Sequence, residues 1–199
     1  MNKHLLIAIF SIIAILVPLN QLSAQQEIID KMQADLTSYS KAFNDHNWVE
    51  LVEFLYPKLF EFNSKESTIA EMSKPDNTGL TMKMNDMKII KISKPIHNNN
   101  EILYHLFYNV TLNVLIDASF IPQVEMMHNM FKSEYGKDNV TFDKNTNRFK
   151  IKATLRMLAI TQNEGKSYYY LDNEKGNNEF LSTLFDKTVV QEILKAEKE

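Results

Sequence analysis

From Ile102 to Ile116 every second residue is apolar. Ile102, Tyr104, Leu106, Tyr108, Val110, Leu112, Val114 and Ile116 fall on one side, while His105, Asn109, Thr111, Asn113 and the following Asp117 fall on the other. Successive side chains of extended chain point to opposite faces, so this spacing predicts one long strand with a continuous apolar face. A strand of that length is well beyond the usual five or six residues, and its apolar row needs a layer of other elements over it. The rest of the chain must therefore supply neighbouring strands and helical cover.

Helical cover is available at the start. From Gln26 to Asn44, the residues Ile28, Ile29, Met32, Leu36, Tyr39 and Phe43 recur every three or four positions, the period of an amphipathic helix. The run Asn44-Asp45-His46-Asn47 supplies an N-cap for a second, short helix carrying Trp48, Leu51, Val52 and Leu55, which Pro57 ends. A further helical turn or two is expected within Ser64 to Ser73, and Pro75 to Gly79 reads as a turn. Beyond Gly79 the period becomes two: Leu80, Met82 and Met84 alternate with polar residues. The alternation then slips near Asp86 and resumes at Met87 and Ile89, as a β-bulge requires. Pro95 closes this strand, and Asn98 to Asn100 makes a turn.

After the long strand, Pro122 to Tyr135 reads as a helix stopped by Gly136, and Lys137 to Asn147 as a turn-rich connection. Arg148 to Thr161 is extended again, with Phe149, Ile151, Ala153, Leu155 and Met157 inward and Arg148, Lys150, Lys152 and Arg156 outward. Ser167 to Asp172 predicts a strand centred on three consecutive tyrosines. Phe180, Leu181, Leu184, Phe185, Val189 and Ile193 predict a short helix and a last one.

The first 24 residues have a different character. Lys3 precedes an apolar run from Leu5 to Val17, and Leu22-Ser23-Ala24 offers small residues before a cut, the layout of a secretory signal peptide. The apolar run falls short of the roughly 20 residues that a membrane-spanning helix requires. Residues 1–24 are therefore expected to be an export signal, leaving 25–199 as a single domain in the periplasm or outside the cell, without a membrane span. Rich Asn and Lys with few Gly suggest a Gram-negative bacterium with an AT-rich genome. With no cysteine in the chain, this domain must fold on apolar burial alone.

Helices, then long antiparallel strands with a bulge, then a C-terminal helix: this α+β order resembles the NTF2-like superfamily, the cone-shaped cystatin-like roll. The local resemblance runs from Tyr39 to Asn63, where Tyr39-Ser-Lys-Ala-Phe-Asn-Asp-His-Asn-Trp48 is similar to that superfamily's first-helix segment and turn. The resemblance implies N-terminal helices packed on a curved, mainly antiparallel sheet with a pocket between them. In the ketosteroid isomerases of this shape, a tyrosine donor works with an aspartate base. Tyr39 falls on the tyrosine, but Asn63 falls on the aspartate, and an amide cannot take up a proton at neutral pH. Glu61 is then the nearby substitute base, and Tyr39 with Glu61 forms the enzymatic alternative, of isomerase or lyase type.

Tyr39, Trp48, Tyr56, Tyr104 and Tyr108 are candidates for lining a ligand pocket. Ordinary core packing explains the same residues, because buried tyrosines need only a hydroxyl partner. The net charge of −3, one unit more negative once Lys3 is removed, attracts neither nucleic acid nor an anionic membrane. His46, His97, His105 and His128 are too scattered for a metal site, and no metal or cofactor is expected. There is no glycine-rich phosphate loop, no Gly-x-Ser-x-Gly elbow and no thiol. The sequence thus favours a non-catalytic domain that binds a small apolar ligand or a partner protein, with a homodimer through the sheet as a further expectation.

Overall fold

A computed structural model of the chain describes residues 25–74, 79–163, 165–173 and 178–197. The expected export signal, residues 1–24, lies outside the described residues, as does the turn at Pro75 except for its last residue, Gly79. The fold is α+β: helices pack on both faces of a curved, unclosed antiparallel sheet.

Helix α1 covers residues 25–44. The Asn47 side chain caps α2 (Trp48–Leu51) by accepting from the Glu50 N–H, and a 3₁₀ turn (Val52–Phe54) continues it. Pro57 opens a second 3₁₀ turn rather than simply ending the helix (Pro57–Glu61), and Ser64 caps α3 (Lys65–Met72). The strands are β1 (Leu80–Ile92), β2 (Ile96–Asn98), β3 (Glu101–Ile116), β4 (Val140–Asp143), β5 (Arg148–Thr161) and β6 (Tyr169–Asp172). Helix α4 (Val124–Tyr135) separates β3 from β4, and α5 (Asn178–Leu184) and α6 (Lys187–Ala196) follow β6.

The order across the sheet is β1-β3-β5-β4, with β2 beside the start of β3 and β6 beside the end of β5. β3 and β5 pair over almost their whole length, from Ile102 opposite Thr161 to Leu115 opposite Arg148. The bulge expected near Asp86 is present. The β1–β3 register slips between Asn85 and Lys88, and Asp86 adopts φ 55°; a second slip follows Ile89. The short strands β2 and β4 were not foreseen, being only three or four residues inside turn-rich stretches.

The long strand's alternation decides the main core. Its eight expected inward residues all join the cluster beneath α1 and α4, where Met32 and Leu36 of α1 meet them fully buried. Each such aliphatic side chain withdrawn from water contributes about 2 kcal/mol. The opposite face is not simply solvated. At its Glu101 end, Leu103 joins Leu158, Ile160 and Leu171 in a second cluster, roofed by Leu181, Leu184, Val190 and Ile193 of α5 and α6. The first half of β3 is consequently buried on both sides, and only its second half shows the inside–outside alternation of a one-faced strand.

Helix α1 lies across the opening of the curved sheet and ties down both of its flanks. On one side Gln33 donates to the Met87 carbonyl (2.8 Å) and accepts from the Ile89 N–H (2.9 Å). Asn44 does the same to the carbonyl and N–H of Met84 (2.7 and 2.8 Å). On the other side, Asp35 accepts from the Tyr170 hydroxyl of β6 (3.0 Å). Asp35 stands two positions, about 200° of helical rotation, from Gln33, which is why one helix reaches both edges.

Candidate functional site

Between α1 and the concave face of the sheet, the packing leaves a cleft of about 400 Å³. Its floor is Tyr108 and Leu112 from β3 with Leu155 and Met157 from β5; Met82 and Met84 of β1 form one wall, and Tyr170 and Asp172 of β6 the other. Tyr39 closes it from above, and Tyr135, in the last turn of α4, stands at one end. Along β1 burial changes at the bulge: Met87 and Ile89 beyond it are buried, whereas Met82 before it, in the cleft wall, is 37% exposed. A volume of this size falls in the range that holds small organic ligands.

Its walls are apolar apart from phenols and one carboxylate. The Tyr39 hydroxyl has its pKa pushed up to about 12, first by burial and then by the charge of Asp172. Burial likewise drives Tyr170 upward, helped by Asp35, whose own carboxyl is raised by burial against the opposing effect of the Tyr170 hydrogen bond. These phenols remain protonated at neutral pH. Chemically they are hydrogen-bond donors and ring faces, not bases.

Of the residues singled out in the sequence, the structure brings Tyr39 and Tyr108 together in the cleft and sends the others elsewhere. Tyr104 is buried further along β3, its ring 6.3 Å from that of Tyr168 in an edge-on contact. Trp48 packs edge-on against Phe43 and His46 at the α1–α2 turn. Tyr56 belongs to the second cluster, stacked on Phe185 at 5.6 Å. Its hydroxyl donates to the buried Glu101 carboxylate (2.8 Å), which also accepts from Asn98 (3.0 Å) and Gln162 (2.8 Å). Glu61 ends the second 3₁₀ turn, exposed and outside the cleft lining. Asn63 donates to Thr68 and Glu71 at the start of α3.

Tyr135, Tyr170 and Asp172 were not singled out, and Met82 and Met84, which could read as a pliable binding surface, are more economically read from the sequence as core filler. The period of two does place Tyr170 and Asp172 on one face of their strand, but it does not say which layer that face meets. The outward row on β5 also divides. Arg148, Lys150 and Lys152 are exposed, whereas Arg156 donates to the Asn173 carbonyl (3.1 Å) and pairs with Glu197 (3.6 Å).

A second hollow of about 580 Å³ lies between α4 and the β4–β5 turn, bordered by His128, Phe142 and Lys144. Among the described residues, no cluster of three His, Asp or Glu is placed to hold a metal ion. None of their helices is long and apolar enough to cross a membrane. No protein-family model, curated protein or solved structure matches the chain.

Proposed function

We propose that this chain is an exported, non-catalytic domain of the NTF2-like kind that binds a small, largely apolar molecule in the cleft beneath Tyr39. The cleft itself carries this proposal. It is of ligand size, walled by leucines, methionines and tyrosines, and the Tyr39 phenol, held protonated by burial, offers an orienting donor. The order of elements, with α1 laid across a bulged and curved antiparallel sheet, supports the NTF2-like assignment. The proposed export rests on the layout of residues 1–24. Glu61, exposed and outside the cleft, gives no support to proton transfer with Tyr39.

Binding of N-phenyl-1-naphthylamine, an uncharged apolar fluorophore, tests the proposal. The native protein should take up one dye molecule with a blue-shifted emission. Leu155→Trp, which fills the floor of the cleft, should abolish uptake while the variant still unfolds cooperatively. Equal uptake by the filled variant would place the dye elsewhere and remove the cleft as a binding site.

A further inference from the structure

We propose that the sheet face turned away from the cleft binds, over its uncovered half, a linear acidic polysaccharide with carboxylate or sulfate groups along its length. Residues paired across antiparallel strands share a face, and the pairing here gathers five exposed basic residues: Lys83 and Lys88 from β1, and Arg148, Lys150 and Lys152 from β5. Lys83 and Lys150 both stand opposite Asn113 of β3, Lys152 opposite Thr111, and Lys88 opposite Asn109. Helices α5 and α6 roof the other half of this side, and these five side chains meet water.

The signs of charge are segregated. Taking these five from the chain's 22 lysines and arginines leaves 17 against 25 Asp and Glu, so a chain that is acidic overall carries a basic face. A face that needed only to be wet would be served by both signs, and a carboxylate opposite each lysine would add a cross-strand attraction of about 0.2–1 kcal/mol. Asn and Thr hold those positions instead. The nearest carboxylates are engaged: Asp45, close to Lys83, pairs with Lys41, and Asp143, opposite Arg148, accepts from Thr146 and the Asn145 N–H. Asp86 sits in the bulge, outside the paired rows. Lysines on an edge strand deter pairing with other chains, which accounts for Lys83 and Lys88. β5 runs between β3 and β4, so its three basic residues have no such duty.

The spacing selects the kind of anion. Like-facing residues repeat about every 7 Å along a strand, and Lys83 and Lys150 stand two strands, about 10 Å, apart. Charges so dispersed suit a chain of repeated anions and not a single small one. Between them lie amides and hydroxyls, partly fixed by hydrogen bonds from Asn113 to Asn85 (2.8 Å) and from Thr154 to Asn109 (2.8 Å). These groups both donate and accept, as sugar hydroxyls do. The rows through Asn109, Thr111 and Asn113 hold no aromatic ring on which nucleic-acid bases could stack and no apolar side chain to enter a membrane.

Fluorescently labelled oligogalacturonate and polyglutamate of matched charge test the proposal by anisotropy, with a DNA duplex and phosphatidylglycerol vesicles as competitors. Oligogalacturonate should bind at about 0.02 M salt and be released by about 0.5 M, as counterion release requires. Replacing Arg148, Lys150 and Lys152 together by Gln should weaken binding at least about tenfold and flatten its salt dependence, while cooperative unfolding and dye uptake by the cleft stay native. Asn109→Ala with Asn113→Ala should weaken oligogalacturonate but not polyglutamate, which has no hydroxyls. Failure to bind at low salt, or equal binding by the triple variant, would overturn the proposal, and an asparagine variant that treats both probes alike would overturn the sugar. Tighter binding of polyglutamate, duplex or vesicles would instead give the face to an acidic protein, a nucleic acid or a membrane. A self-associated mass in light scattering that the triple variant loses would give it to a second copy of this chain.

Discussion

At the scale of single residues, the Glu101 carboxylate is a buried charge whose hydrogen bonds offset the cost of removing it from water. It is 6% exposed, yet it accepts from Tyr56, Asn98 and Gln162, with the Lys58 ammonium at 3.5 Å. Glu101→Ala leaves the buried Tyr56 and Asn98 donors without an acceptor and should destabilise the protein by about 2–4 kcal/mol, whereas Glu101→Gln, which keeps one carbonyl, should cost less. Urea unfolding of the two variants checks the order. His105 is the opposite case: it is fully buried beneath α6, where the Ala196 backbone is the polar group nearest its ring and neither ring nitrogen makes a well-formed hydrogen bond. Burial lowers its pKa to about 4; the nearby Arg156 and Lys91 charges act in the same direction, and the Ala196 backbone works weakly against them. The unfolded chain takes up this proton near pH 6.5 and the folded chain only near 4, so the contribution is intact above 6.5 and is lost as pH falls towards 4. The loss is on the order of 2–3 kcal/mol. His105→Leu should remove that share of the acid sensitivity, and urea midpoints at pH 7 and pH 4.5 for both proteins measure it.

Among the elements, α1 does more than cover the core. Gln33 and Asn44, about three turns apart on one side of the helix, present amide groups to β1 as a neighbouring strand would, and they do so on either side of the bulge. The exposed edge of a strand is a template for pairing with another chain, and these two side chains occupy it from Met84 to Ile89. A homodimer formed through the sheet must therefore use another edge or a face. Replacing both amides, Gln33→Ala with Asn44→Ala, should raise the tendency to self-associate, visible by light scattering as a mass that climbs more steeply with concentration than that of the native chain. The entry to β1 depends on Gly79. Its φ is +68°, its carbonyl accepts from Asp117, and a Cβ there would overlap the Phe120 ring. Gly79→Ala should cost more than about 1 kcal/mol, since backbone strain and a steric clash act together. Thermal unfolding reads the loss directly.

For the molecule as a whole, the sheet separates two cores of different origin. α1 and α4 close one, and α5 and α6 close the other over Leu103, Leu158, Ile160 and Leu171. The second core is attached at its far end by the Arg156–Glu197 pair and the Asn173–Glu197 hydrogen bond. Removing residues 178–199 would uncover an apolar sheet surface and the His105 ring together, and should yield an aggregating chain with strong binding of hydrophobic dyes. A truncated protein that stayed monomeric with a native urea midpoint would show that α5 and α6 are dispensable. The cleft shares Leu171 and Phe180 with this second core, so the same truncation should also weaken dye uptake by the cleft.

The sequence by itself determined the elements whose signals are local. The period of two over Ile102 to Ile116, the slip near Asp86 in the strand before it, the cap within Asn44 to Asn47 and the stop at Gly136 each state a backbone conformation in a few residues, and the structure has all four. It also named two of the cleft residues, Tyr39 and Tyr108, because both lie on faces that had to turn inward. Only the tertiary structure decided which aromatic residues share a cavity. Tyr56 and Tyr104 look equivalent to Tyr39 and Tyr108 in the sequence, yet Tyr56 turns to the core beneath α5 and α6 and Tyr104 packs on Tyr168. Periodicity fixes which side chains point the same way along one element. It carries no information about which layer that side will meet, and Tyr170 and Asp172 enter the cleft through just such a long-range meeting of β6 with α1.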